Sequence, residues 1–468
     1  MSKNKLSPKP ENSYQDIISR DVTGVPKFLE PAASVALGVE GIDADRYWSQ
    51  EFYDLENEYL WSKVWQMACQ IEDIPNEGDC FHYEIAEKSF IIVNTANGVK
   101  AYHNACLHRG RKLITSHCRK IEFECPFHAI TWSLDGKVVR NPIAWDMPQW
   151  NEENSKLPAV KVAIWCGFIF INMDDNAPDF NVIANPMIKD LEPFEWDNRY
   201  REFWFEKHVK ANWKTLAEPF MESHHSQTTH PQLVPAIGDI NSQYDFPNAY
   251  ISRQISAGAT ASPAMEPQPS EQEKLALMKK RGDRRIDGVD LEGLPDEVRA
   301  RTFLGKHARD TLNATTGKDY SEAKDSELLD YILYGIFPHM TFWAGYGSKL
   351  VYRWRPEPGN PEGSIMDIIM MSPIPLGEKK PEPARKVVLG YNDKVSSCEQ
   401  GPSSLKLVFD QDFGNIPHIQ TGMKSLKSGK INFSQYTESR IRYMHQFIDR
   451  FIETGRAKEP IPNAKLEF

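Results

Sequence analysis

The chain has 468 residues, 40% hydrophobic and 26% charged, an ordinary globular balance with length for one large or two to three smaller domains. Its 55 basic and 65 acidic residues leave a formal net charge of −10, which argues against nucleic acid and anionic lipid as partners and leaves small molecules and proteins. Seven cysteines, an odd number at scattered spacings, exclude a disulfide framework.

The start, residues 1–13, is polar and has no apolar core, so no secretory signal is expected. No run approaches eighteen apolar residues, so no membrane span is expected, and the cytoplasm is the expected compartment. The first thirty or so residues read as a poorly packed arm. A helix is predicted from about Asp43 to Trp65, with Tyr47, Phe52, Leu55, Tyr59 and Val64 near one face. Short strand-like runs follow. Ser89–Thr95 and Val99–Asn104 flank Ala96-Asn97-Gly98, and Thr131–Leu134 and Lys137–Arg140 flank Asp135-Gly136, two hairpin signals. Trp165–Asn172 reads as one strand interrupted by Gly167. Residues 62–174 are therefore expected to form a small all-β unit after an arm and helix over 1–61.

A helix is predicted from Trp213 to about Ser226. Residues 262–325, rich in charge, Pro and Gly, read as a partly helical surface insertion with a helix near Ser270–Lys280, placed to cap a pocket. Strands are expected at Leu350–Arg355 and Ile365–Ser372, a loop over Gly377–Gly401, and a closing helix over Ser434–Thr454 with the stripe Ile441, Met444, Ile448, Phe451 and Ile452.

Within the β unit, Cys106-Leu107-His108 is followed after sixteen residues by Cys125-Pro126-Phe127-His128. Each pair puts a thiolate and an imidazole close enough for one turn to present both. A closed Cys2His2 zinc site and a [2Fe-2S] cluster held by two Cys and two His both use this donor set, and the spacing leans to the cluster. His117 and Cys118 lie in the spacer; Cys118 is the minor rival ligand.

A second group is Glu222, His225 and His230. Glu222 and His225 are three apart, one helix face, and His230 follows five later, just before Pro231. Two His with a distant carboxylate form the facial triad of non-haem Fe(II) oxygenases. His224 is the rival ligand. Phe220, Met221, Phe342 and Trp343, with Phe337, His339, Met366, Ile368 and Met370, are candidates for a pocket above such a metal, against the plainer reading of core packing.

Cys106-Leu107-His108-Arg109-Gly110 and Cys125-Pro126-Phe127-His128, with Trp132 and Asp135-Gly136 after them, resemble the Rieske signature of ring-hydroxylating oxygenase large subunits; Ala129-Ile130 stands where the family has Gly-Trp. From Asn212-Trp213-Lys214 onward the chain resembles the family's catalytic domain, with Glu222 where Asp is usual and Pro219 where Asn is usual. Val408 to Asn415 followed by Gln420-Thr421-Gly422 resembles the closing motif and implies Asp412 as third ligand, with Asp410 as the alternative.

The resemblance implies an α+β fold, a small all-β Rieske [2Fe-2S] domain (62–174) ahead of a helix-grip catalytic domain (175–468) with an antiparallel sheet and helices. It implies a cluster on Cys106, His108, Cys125 and His128, and Fe(II) on His225, His230 and Asp412. It implies O2 as co-substrate and electrons from NAD(P)H through a reductase, with or without a ferredoxin. It implies a ring of three α subunits, alone or with three β subunits, in which Glu222 bridges His225 to His128 of a neighbour. The reaction implied is mono- or dihydroxylation of an aromatic or other bulky apolar molecule, with O- or N-demethylation or quaternary-amine oxidation as alternatives. Outside the family, a zinc-stabilised binding protein and a Rieske electron carrier with a dead second site remain as other readings.

Overall fold

Two-residue turns shape the N-terminal half. The structure, a computed structural model, describes residues 10–466 apart from 34, 36, 281–285, 287 and 292–296. The arm carries α1 (Tyr14–Ile18) and β1 (Ile42–Asp43), and is better packed than the sequence suggests. Tyr14, Ile18 and Leu29 are buried, and the Tyr14 hydroxyl donates to Asp330 at 2.9 Å. Arg301 ties the arm down through Asp21 and also pairs with Asp330. In place of one helix from Asp43 to Trp65, a short 3-10 turn leads into α2 (Gln50–Leu55), which widens into π turns over Glu56–Trp61.

The β unit comprises β2 (Gln66–Gln70), β3 (Asp79–Ile85), β4 (Lys88–Thr95), β5 (Gly98–His103), β6 (Cys118–Arg119), β7 (Glu122–Glu124), β8 (Thr131–Ser133), β9 (Val138–Arg140), β10 (Ala159–Trp165) and β11 (Phe168–Asn172). Both expected hairpins form, β4–β5 and β8–β9. The run Trp165–Asn172 is instead the turn and second strand of a third hairpin. Cys166 and Gly167 both have positive φ, 47° and 81°, the pair of left-handed residues that a type I′ turn needs. Seven strands form one sheet in the order β2-β11-β10-β5-β4-β3-β6, and β7-β8-β9 form a second. The two Cys-His pairs occupy loops that leave β5 and β7.

The second half contains α3 (Phe180–Leu191), β12 (Arg199–Val209), α4 (Trp213–Ala217), α5 (Ser226–Thr229), β13 (Ile237–Asn248), β14 (Ile251–Gly258), α6 (Glu271–Lys280), α7 (Ala300–Thr316) and α8 (Asp325–Leu329). It continues with β15 (Tyr331–Ile336), β16 (Met340–Ala344), β17 (Lys349–Glu357), β18 (Asn360–Pro373), β19 (Lys386–Leu389), α9 (Ser403–Met423), β20 (Lys430–Ile431) and α10 (Ser439–Ala457). Eight strands run β13-β14-β15-β16-β17-β18-β12-β19, antiparallel except where β19, inside the expected loop 377–401, lies parallel beside β12. The described part of the insertion carries α6 and α7, whose Leu275, Met278 and Leu304 make a small core with Ala236 and Ala259; residues 281–285, 287 and 292–296 of the insertion lie outside the described ones.

Alternation along β17 and β18 gives this sheet two chemically different faces. Arg353, paired with Asp367 at 2.8 Å, donates to the carbonyls of Met67 and Ala68 and so faces the β unit. Tyr352 and Trp354 face the other way, toward Phe220; Tyr352 also meets Phe409 on α9. Met366, Ile368 and Met370 stand opposite Trp354, Tyr352 and Leu350 in register and share that second face. The stripe of α10 is buried as expected, each such side chain contributing on the order of 2 kcal/mol. No helix among the described residues is long and apolar enough to cross a membrane.

Candidate redox and metal site

The two Cys-His loops have the same backbone. In each, the amide four residues after the cysteine donates back to the cysteine carbonyl, Gly110 to Cys106 at 2.8 Å and Ala129 to Cys125 at 2.9 Å. The cysteine amide in turn donates to the carbonyl five residues on, Arg111 and Ile130, both at 2.8 Å. That closure forces a left-handed residue at the fourth position. Gly110 meets it with φ 76°, and Ala129 meets it with φ 58°. A glycine would carry the same turn without the Cβ clash. Ala129→Gly is therefore expected to raise stability by roughly 0.5–1 kcal/mol, strain relief less the entropy of a freer unfolded chain. A denaturant midpoint that rises at unchanged slope checks this.

The loops sort their donors by type. Cys106 and Cys125 are both buried, and burial pushes the Cys106 thiol upward from its ordinary range. The rings of His108 and His128 lie 4.7 Å apart, and the Nδ1 atom of each is buried without a protein partner. Two orphaned imidazole nitrogens beside two buried thiols fit a metal group. A single zinc fits poorly. Its four donors, at bonds of about 2.0–2.3 Å, would sit roughly 3.5 Å from one another. Among the described residues, the one set of three or more donors mutually within 4.8 Å is His225, His230 and Asp412, so no three of these four converge that tightly. A sulfur pair and a nitrogen pair set apart suit a two-iron cluster. His117 and Cys118 lie elsewhere: His117 stacks on Phe81 at 4.0 Å, and Cys118 pairs across the sheet with Cys80.

The second group does not sit on one helix. Pro219 has no N–H to continue α4, which stops at Ala217 and gives way to a 3-10 turn over Glu218–Phe220. Glu222 and His225 then occupy a bend ahead of the four-residue α5. They meet through the carboxylate. Glu222 accepts the backbone N–H of His224 at 2.6 Å and of His225 at 3.1 Å, and lies 2.5 Å from His225 Nδ1. Burial would raise the Glu222 carboxyl, but these imidazole hydrogen bonds prevail and hold it at about 2. The bond to Nδ1 leaves His225 Nε2 free to face Asp412.

His230 is fixed the same way. Its Nδ1 lies 2.9 Å from Gln411 Oε1, which also accepts from Gln232 at 2.7 Å. Asp412 comes from the middle of α9, 4% exposed, with Oδ1 2.8 Å from His230 Nε2 and 3.7 Å from His225 Nε2. Two imidazoles and one carboxylate thus present bare donor atoms to one point, a facial set that leaves other positions open. Asp410 turns away and accepts the backbone N–H of Val395 at 2.7 Å. His224 contacts Glu222 at 2.9 Å and is outside the donor set. Gln411 was not foreseen in the sequence; its only signal is its place beside Asp412.

The Asn212-Trp213-Lys214 stretch is scaffolding. Asn212 caps α4 by accepting from Lys214 N at 3.0 Å, while Trp213 and Lys214 both grip the buried Glu56. Glu218, buried, accepts from the Tyr47 hydroxyl at 2.5 Å and lies 2.9 Å from His445 Nε2, anchoring the bend that carries Glu222 and His225 to the arm and to α10. Burial raises the Glu218 carboxyl from 4.5 to about 8. The folded chain therefore holds a proton there that the unfolded chain releases, and stability falls as pH rises from about 4.5 to 8. Glu218→Gln should flatten that fall by a few kcal/mol, on the order of 1.4 kcal/mol per unit. Thermal midpoints of both proteins at pH 5.5 and 8 check it; parallel declines would count against a proton held on Glu218.

Phe220 leads the bend and meets Tyr352 at 5.2 Å and Trp354 at 5.9 Å. Trp343 meets Tyr352 at 6.0 Å, and Phe409, three residues before Asp412, meets it at 5.9 Å. These rings form one aromatic wall joined to both ligand segments. Met366, Ile368 and Met370 share the face of this wall, while four other pocket candidates point elsewhere. Phe342 packs edge-on against Trp165, Phe168 and Trp196 on the face toward the β unit, as alternation with Trp343 requires. His339 accepts from Met67 N on that same face. Met221 and Phe337 line a small cavity with Tyr443 and Met444 of α10.

Residues 196–454 match a family model described as the ring hydroxylating alpha subunit (catalytic domain), and residues 64–151 match the Rieske [2Fe-2S] domain. The carnitine monooxygenase oxygenase subunit of Acinetobacter baumannii is 28% identical over 203 residues, 41% of this chain and 53% of that protein. The anthranilate 1,2-dioxygenase large subunit of Acinetobacter baylyi is 28% identical over 216 residues, 43% of this chain and 44% of that protein. The matches thus span about half the length of these relatives. A crystal structure of a quaternary ammonium Rieske monooxygenase superposes with TM-score 0.59 at 16% identity, covering 89% of this chain and 96% of that one.

Proposed function

The chain belongs to the ring-hydroxylating oxygenase alpha-subunit family, with a Rieske domain ahead of the catalytic domain, and from that premise we propose that it is the terminal oxygenase of a multicomponent system. The reaction is mono- or dihydroxylation of an aromatic or other bulky apolar small molecule. The observation that carries this is the convergence of His225, His230 and Asp412, with the aromatic wall of Phe220, Trp343, Tyr352 and Phe409 joined to the same segments.

Loaded, the cluster on Cys106, His108, Cys125 and His128 would supply single electrons, and iron on His225, His230 and Asp412 would supply O2 activation. The protein's own part is orientation. Glu222 and Gln411 each hold the Nδ1 side of one imidazole, which fixes the tautomer and aims Nε2 at the metal position. The aromatic wall excludes water and offers apolar contact. Electrons come from NAD(P)H through a reductase, with or without a ferredoxin. Three copies form a ring in which Glu222 joins His225 to His128 of a second copy; its grip on His225 supports that role.

A single turnover tests the proposal. Chemically reduced protein receives 18O2 with a panel of monocyclic and polycyclic aromatics and of trimethylammonium acids, the last included because carnitine names one relative's substrate. Labelled hydroxyl in an aromatic product is the expected result. Label only in trimethylammonium acids would replace the aromatic reading with a cation held over the same rings. No labelled product from any class, with both metal sites filled, would contradict the proposal.

A further inference from the structure

Two cysteines with no part in the cluster face each other across the sheet that carries it. Strand β6 is two residues long and pairs antiparallel with β3, placing Cys118 directly opposite Cys80 and Arg119 opposite Asp79. Directly opposed residues of an antiparallel pair have Cα atoms about 4.5–5.5 Å apart, inside the span of about 4.4–6.8 Å that a disulfide bridges. The Cys80 thiol donates to the Gly78 carbonyl at 3.2 Å, which holds the side chain at the β6 end of β3. The pairing is clamped from behind. Lys120 N donates to the Gly78 carbonyl at 2.8 Å, and Gly78, at φ 86°, has no room for a Cβ, which would stand 2.3 Å from the Lys120 oxygen. The short strand is thus held in register against β3. Among the described residues, no third His, Cys or carboxylate donor converges with the two thiols, so the pair is not a metal site.

The two thiols differ in access. Cys80 is 2% exposed, and burial pushes its thiol up to about 12, while Cys118 is partly exposed. Cys118 is the sulfur an oxidant reaches, and Cys80 is the one that resolves.

We propose that Cys80 and Cys118 form a reversible dithiol–disulfide site, oxidised by hydrogen peroxide, that pins the spacer between the two cluster loops to β3. The inference rests on the paired strands and not on the proposed turnover, although an oxygenase that reduces O2 without hydroxylating substrate would release that oxidant. The step balances. The Cys118 thiolate attacks one peroxide oxygen and the O–O bond breaks, giving a sulfenic acid and, with a proton, water. The Cys80 sulfur then attacks the Cys118 sulfur, the S–O bond breaks, and a second water leaves with the thiol proton. Two thiols lose two electrons and the peroxide gains them.

The experiment uses the intact, cluster-loaded protein, treated with a small molar excess of hydrogen peroxide, alkylated under denaturing conditions and digested without reductant. A peptide joining Cys80 to Cys118 in most of the protein, with the cluster's visible band retained, is the expected result. Dithiothreitol should remove it. Cys118→Ser should keep the visible band, which reports its folding, and lose the cross-linked peptide. Recovery of Cys80 and Cys118 both alkylated after peroxide, or cross-links that join other cysteines in their place, would overturn the proposal.

Discussion

Asp412→Ala is expected to empty the mononuclear metal site, to cut turnover at least a hundredfold and to leave the cluster's absorption unchanged. Asp412 supplies the only carboxylate of the donor set, 2.8 Å from His230 Nε2. Loss even of a residue that merely orients a ligand costs about 10–100-fold in metal affinity, and a ligand costs more. The effect stays local, because the cluster loops close on their own backbone, and among the described residues no backbone hydrogen bond joins them to α9. Asp410→Ala is the control. It removes an acceptor for the Val395 amide on the other side of the helix and should leave iron content within about twofold of the unaltered protein. Iron content per chain with absorption spectra of both variants decides. Equal iron loss in both, or loss only with Asp410→Ala, would reassign the ligand.

Glu222→Gln should keep both metals and still slow turnover by roughly 10–100-fold. The carboxylate takes donors on both oxygens: His225 Nδ1 on one, and the His224 and His225 amides on the other. Glutamine has one acceptor oxygen. Whichever way it turns, an NH2 group meets either the imidazole N–H or two backbone N–H groups, a mismatch of about 1–3 kcal/mol at a buried position. The imidazole responds by tilting, and the negative charge that would link two copies' histidines is lost. Stopped-flow reoxidation of reduced cluster separates the effects. Slow reoxidation at full iron content is the expected pattern, and reoxidation at the unaltered rate would remove Glu222 from the electron path.

How much of this the sequence carries depends on what each element is made of. The cluster ligands were legible because four rare side chains sit at fixed offsets, and the turns at Asn97-Gly98 and Asp135-Gly136 carry their own chemistry. The metal ligands were legible as a set, but their geometry was not. Pro219 breaks the helix that would have put Glu222 and His225 on one face, and a carboxylate-capped bend replaces it. Helix α9 was missed because its buried stripe is half polar: Lys406, Phe409, Asp412, Ile416, Gln420 and Met423. Hydrophobic periodicity cannot register it. Gln420 explains the closing motif, since its Oε1 accepts from Asn212 N and Thr215 Oγ1 and so locks α9 to the start of α4. The pocket was half legible: Phe220 and Trp343 join the aromatic wall, while Phe342 and Met221 fall on the wrong side of a strand and of a bend, which composition cannot distinguish. The described part of the insertion packs in a small core shared with Ala236 and Ala259, and none of its described residues joins the mononuclear donor set.

The central claim, one chain holding a two-iron cluster and a separate mononuclear iron, meets its most direct test in metal analysis of anaerobically purified protein with absorption and EPR spectra before and after dithionite. The account expects about three irons per chain, two of them in a reducible Rieske-type signal. Zinc with no visible absorption, or cluster iron alone with His225, His230 and Asp412 unmetallated, would contradict it.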